Sequence, residues 1–157
     1  MTANTILAEI EAQEAELVFT VFNEDTAYAV GTTLVEAARR QAAPVVIDIR
    51  TPDRTLFHVA LPGSAPDNDH WAHRKSSTVF RIHHASLLLG ERLKARGDTL
   101  GTHLGLDPLK HSAHGGSFPI RVAGVGVVAA VTVSGLPQLD DHAMVVEALR
   151  AYFARAA

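Results

Sequence analysis

The chain has 157 residues, 47% of them apolar and 20% charged, with a net charge of −3 and no cysteine. That length and apolar share suffice for one buried core and exclude a disordered or disulfide-stapled chain. The missing cysteines remove thiolate metal sites, iron–sulfur clusters and a cysteine nucleophile, and the scattered basic residues leave no electrostatic footprint for nucleic acid.

Residues 3–14 follow a helical period with Ile6, Leu7 and Ile10 on one stripe. This start is acidic and amphipathic, without the basic and apolar run of a signal peptide, so a cytoplasmic location is expected. Leu17 to Phe22 reads as a short buried strand, and Asn23 or Asp25 as the cap of a helix running to about Gln41. Val45–Arg50 and Thr55–Leu61 form a strand pair around the turn Thr51-Pro52-Asp53-Arg54, in which Pro fixes φ and Asp bonds its own backbone. A Pro- and Gly-containing loop then leads to a helix over about 70–89, capped by Asn68 or Asp69. A shorter helix over 91–96 and irregular chain follow. Phe118–Val122 and Val125–Val133 pair around Ala123-Gly124, and residues 139–155 close the chain as a helix.

Strands joined by short turns pair antiparallel, and the helices must cover the faces of their sheet. The fold class is therefore α/β (α+β): a single domain over 1–157 with a five-stranded, largely antiparallel sheet. The longest apolar run, Val125 to Val133, is too short to cross a bilayer, so no membrane partner is expected.

The most informative stretch is His111 to Asp141. Gly115-Gly116 lets a ligand approach backbone with no side chain in the way. Ser134-Gly135 ends a strand just before a helix start, where free N–H groups favour a carboxylate or phosphate. Gly115-Gly116-x-x-Pro119-Ile120, the turn Gly124 and Val133-Ser134-Gly135 before Asp140-Asp141 resemble the GlcG/HbpS-like superfamily, whose domain is labelled haem-degrading. Val46-Ile47-Asp48 and Arg74-Lys75-x-x-Thr78 agree with it. Asn68-Asp69-x-Trp71 and Ala113-His114-Gly115-Gly116-Ser117-Phe118-Pro119 look closer to an uncharacterised cytosolic branch. The resemblance spans roughly residues 5–150. It implies a profilin-like three-layer α/β/α sandwich, a homo-oligomer and, for some members, haem chemistry.

Several residues are candidates for a site. Lys75, on a position of the family motif, is the expected cation for a ligand carboxylate, with Arg74 facing solvent. Gly115, Gly116, Ser134 and Gly135 supply backbone. With only Met1 and Met144 as thioethers, His114 and then His111 are the candidate axial ligands to haem iron, against the plainer reading that His114 fixes its own loop. Asp140 reads as an N-cap. His70 and His73 share a helix face but lack a third ligand nearby, so no metal site is expected. Asp48, Ser134 and His114 are the parts of a hydrolase triad, but no nucleophile-elbow motif accompanies them. Composition and resemblance together leave three functions open: a small-ligand binder that takes and degrades haem, a binder of or enzyme on a small organic acid without haem, and an assembly or adaptor protein. Any haem-degrading activity rests on the resemblance alone.

Overall fold

The computed structural model describes residues 2–157. Its chain order is helix α1 (Ala3–Glu16), strand β1 (Val18–Phe19), α2 (Glu24–Arg40), β2 (Val46–Arg50), β3 (Thr55–Ala60), α3 (Pro66–Ile82), α4 (Ser86–Ala95), a 3-10 turn (Thr102–Leu104), β4 (Ser117–Val122), β5 (Gly126–Ser134) and α5 (Gln138–Ala156). The strands form one sheet in the order β1-β4-β5-β2-β3. All neighbours pair antiparallel except β1 with β4, which run parallel. The five-stranded, largely antiparallel α+β architecture is thus the one the strand and turn pattern implies.

Each strand presents alternate residues to opposite faces. Ile47 and Ile49, Val131 and Val133, and Phe118 and Ile120 lie in one register on one face and join Val30, Leu34, Val145 and Leu149 in the main core. Helices α2 and α5 pack on that side. Helix α3 crosses β2, β4 and β5 from the other side. The residues beneath α3 are polar: the registers Ser117↔Thr132, Thr132↔Asp48 and Asp48↔His58 align four of them in a row across four strands. Ser117, Thr132 and Asp48 are fully buried.

Helix α1 is fastened by side-chain contacts rather than by the sheet. Glu14 accepts from the Ala85 N–H at 2.6 Å and meets His84 Nδ1 at 2.7 Å, while Gln13 Oε1 lies 2.7 Å from His142 Nε2. Burial alone pushes the His142 imidazole down to about 4, so it is neutral at physiological pH.

Three boundaries differ from the sequence reading. The expected helix over 70–89 is two helices: α3 stops where His83 turns into the left-handed region (φ +59) and its N–H returns to Val79. No Gly or Pro marks that break; the Arg121 side chain, reaching the His83 carbonyl at 2.8 Å, helps hold it. Consequently α4 begins at Ser86 rather than 91. Asn68 is not an N-cap but sits in the first turn of α3, where its side chain accepts from the Ala65 N–H. The strand expected over 17–22 shrinks to two residues, because only Val18 and Phe19 find partners on β4.

Candidate functional site

The site is assembled where the start of α3, the loop 111–116 and the β5–α5 corner meet. Thr78 of α3 anchors the loop: its hydroxyl donates to the Ser112 carbonyl at 2.7 Å and accepts from the Ser112 N–H at 3.0 Å. Ser112 Oγ in turn accepts from the His114 N–H, and Gln138 Oε1 from the Gly115 N–H, both at 3.0 Å. The Ser112 carbonyl and the N–H groups of Ser112, His114 and Gly115 thereby gain partners, which helps fix the path that presents His114.

Lys75 does not face a ligand with a free charge. Its ammonium is 2.9 Å from Asp141 Oδ2 and 3.4 Å from the Val133 carbonyl, and the residue is almost fully buried. Burial pulls Lys75 below the usual lysine range and pushes Asp141 above the usual carboxylate range, while their mutual attraction opposes both shifts. Asp141 also accepts from the Gly135 and Leu136 N–H groups, at 3.3 and 2.9 Å. The corner after Ser134 is an anion-binding geometry, as its sequence suggests, and the anion on it is the chain's own Asp141. The helix cap also differs from expectation: α5 begins after Pro137, leaving Asp140 in the first turn. Gly116 is required here, since at φ +135 a Cβ would run into the Val133 carbonyl and the Lys75 ammonium. Gly135, at φ +150, packs as closely on the Pro44 carbonyl.

Arg74, expected to face solvent, instead lies half-buried against Trp71. Both His114 and Arg74 pack on the Trp71 ring. The His114 ring stacks on it at 5.0 Å with an interplanar angle of 8°. The Arg74 guanidinium carbon sits 4.4 Å from its centroid, a cation–π contact. Arg74 makes no ion pair among the described residues, and its buried Nε has no hydrogen-bond partner. Partial burial, then the charges of Lys75 and Arg74, hold the His114 imidazole below its ordinary value and so favour the neutral ring.

Two cavities flank this stack and share Trp71, His114 and Gln138. The smaller, about 180 Å³, is lined by Lys75, Ser134 and Gly135, three of the site residues expected from the sequence, with Leu136 and Asp141; Gly115 and Gly116 line neither cavity. The larger, about 370 Å³, is walled by Arg74, Glu91, Leu93, Lys94 and Leu100. The sequence reading missed this second cavity. The spacing of Trp71 and Arg74, three apart on a helix, carried a signal for their stacking; nothing local marked Glu91 or Gln138.

The remaining candidates go elsewhere. His111 turns Nδ1 to the Asp107 carbonyl at 3.1 Å and lines neither cavity. Asp48 is consumed by Arg50, at 2.6 and 2.7 Å, and by His58 Nδ1 at 2.7 Å, while His58 Nε2 reaches Asp69 at 2.8 Å. That occupies the carboxylate a triad would need. His70 and His73 are exposed, and among the described residues no group of three His, Asp or Glu side chains could hold a metal ion.

Fold and cleft define a class: an α/β/α domain with an open, charged hollow between its middle helix and a glycine-rich loop. The sequence profile of the family described as "Haem degrading protein HbpS-like" matches residues 22–150, and the chain belongs to that family. A UPF0303 protein of Streptomyces coelicolor is 57% identical over 151 residues, covering 96% of this chain and 95% of its own. Among solved structures, the Ybr137w protein superposes with a TM-score of 0.86 at 32% identity, covering 96% of this chain and 88% of that one. The chain in a PduOC:heme complex shares the fold, with a TM-score of 0.68 at 20% identity over 85% of this chain and 95% of that one.

Proposed function

We propose that this chain is a small-ligand-binding protein whose ligand lies over the Trp71–His114 stack and presents a carboxylate to Arg74. The observation that carries the reading is the Arg74 guanidinium, held on Trp71 with no anionic partner among the described residues while the neighbouring Lys75 is already neutralised by Asp141. A planar guanidinium with unused donors is suited to a carboxylate.

Haem is the ligand that the family description and the haem complex of a fold relative support. The residues fit it in two respects. His114 offers a neutral imidazole whose ring nitrogens are not hydrogen-bonded by any described residue, so one of them would be free to hold haem iron. Arg74 stands beside it for a propionate, the role expected of Lys75 from its place in the motif. Bound there, haem would supply the oxygen chemistry of a degrading reaction; the chain's own part is to ligate, orient and pair charge. A second reading, a small organic acid without haem, is favoured by the larger cavity, whose wall carries the charged Glu91, Lys94 and Asp98 beside Leu93 and Leu100.

A haem titration followed at the Soret band separates the two. Haem binding gives a saturable, stoichiometric shift that His114→Ala removes. The organic-acid reading gives no saturable shift, but a carboxylate-dependent rise in Tm that Arg74→Gln abolishes. Absence of both responses would remove the cleft as the ligand site. We also propose the homo-oligomer that the resemblance implies: light scattering should give a multiple of the 16.8 kDa chain mass, and the monomer mass would rule it out.

A further inference from the structure

Glu91 is the least explained charged residue of the molecule. It sits on α4 at 6% exposure, in the wall of the larger cavity, and its Oε2 is buried with no hydrogen-bond donor among the described residues. Its helix neighbours do not answer it. Arg92 is drawn to Glu11, and Lys94 is exposed and makes no ion pair among the described residues. A buried carboxylate left without donors is costly, and native structures pair such groups or use them. The same cavity holds the second orphan, Arg74 Nε. The two opposite charges come from different helices, α3 and α4, and they do not pair with each other among the described residues.

A cavity with an unpaired cation and an unpaired buried anion in its wall calls for a ligand carrying both signs. A simple anion would satisfy Arg74 but be repelled by Glu91, and a simple cation would do the reverse. A metal ion is disfavoured by the absence, among the described residues, of three converging ligands. The rest of the wall includes Leu93, Leu100 and Ala113, an apolar surface for a side chain. The volume, about 370 Å³, is at the small end for ligand pockets.

We infer that the larger cavity binds a small zwitterion of the amino-acid class, its carboxylate on Arg74 and its ammonium on Glu91. This rests on the carboxylate reading above, in its haem-free form, and adds the second charge.

The test is a thermal-shift and calorimetric screen of the full chain with the common L-amino acids and γ-aminobutyrate. Leucine is compared with isocaproate, which lacks the ammonium, and with isoamylamine, which lacks the carboxylate. At least one amino acid should raise Tm in a concentration-dependent way, and its des-amino analogue should bind roughly tenfold to a hundredfold more weakly, the loss expected for one charge-assisted hydrogen bond. Glu91→Gln, nearly isosteric, should lose affinity for the amino acid by a similar factor while keeping an unliganded Tm no lower than that of the parent, since it removes an unpartnered buried charge. Two results would overturn the inference and leave the Arg74 reading standing: acids binding as tightly as the matched amino acids, or Glu91→Gln binding the amino acid unchanged. A screen in which neither amino acids nor acids bind would remove the haem-free reading as well.

Discussion

At the scale of single residues, the proposed site rests on a difference between two adjacent cations: Lys75 is paired, and Arg74 makes no ion pair among the described residues. Lys75 and Asp141 form a buried pair whose members each need the other, because either one alone would be a charge without water. Lys75→Met should therefore destabilise the chain by about 3–5 kcal/mol, the cost of orphaning a buried ion. Arg74→Gln, which breaks no ion pair, should change stability little and ligand affinity strongly. Urea unfolding of both variants checks this, and equal destabilisation would contradict the division of roles. Gly116→Ala belongs to the same scale: its Cβ has no room between the Val133 carbonyl and Lys75, so it should unfold the corner that Lys75 and Asp141 hold.

At the scale of elements, the loop 111–116 is presented by Thr78 more than by its own glycines. Thr78→Val keeps the shape but loses both bonds to Ser112, which should cost roughly 1–3 kcal/mol and lower hydrogen-exchange protection around the loop. Unchanged exchange at Ser112 and His114 would show the loop to be held otherwise. The elements themselves were mostly legible. The β2–β3 pair announced itself through Pro52 and Asp53, and β4–β5 through Gly124. The break between α3 and α4 was not, because His83 carries no turn signature and its conformation is secured by long-range contacts. Nor was the fate of the Ser134-Gly135 corner: local sequence showed an anion site, but only the packing of α5 shows that Asp141 fills it. Glu91 carried no signal beyond the start of a short helix, and only the fold puts it in the cavity wall with Arg74.

At the scale of the whole molecule, one buried histidine couples fold stability to pH. His142, held at about 4 in the folded chain, has an unfolded value near 6.5. The unfolded chain thus binds more protons between those values, so stability falls as pH drops from about 6.5 to about 4, by roughly 3 kcal/mol from this group. Since His142 meets Gln13 of α1, His142→Gln should flatten that part of the Tm-against-pH curve relative to the parent. Curves of identical slope would show that other groups carry the effect. No helix among the described residues is long and apolar enough to cross a membrane.

The same whole-molecule view supplies a direct probe of the cleft, because Trp71 is the only tryptophan in the chain and forms its floor. Intrinsic fluorescence should therefore report occupancy without any label. In a titration with haem and with the amino- and carboxylic-acid panel, the account expects at least one saturable change in Trp71 emission that Arg74→Gln abolishes. A saturable change of equal midpoint in Arg74→Gln, or no saturable change with any of these ligands, would contradict a carboxylate site over Trp71 and His114.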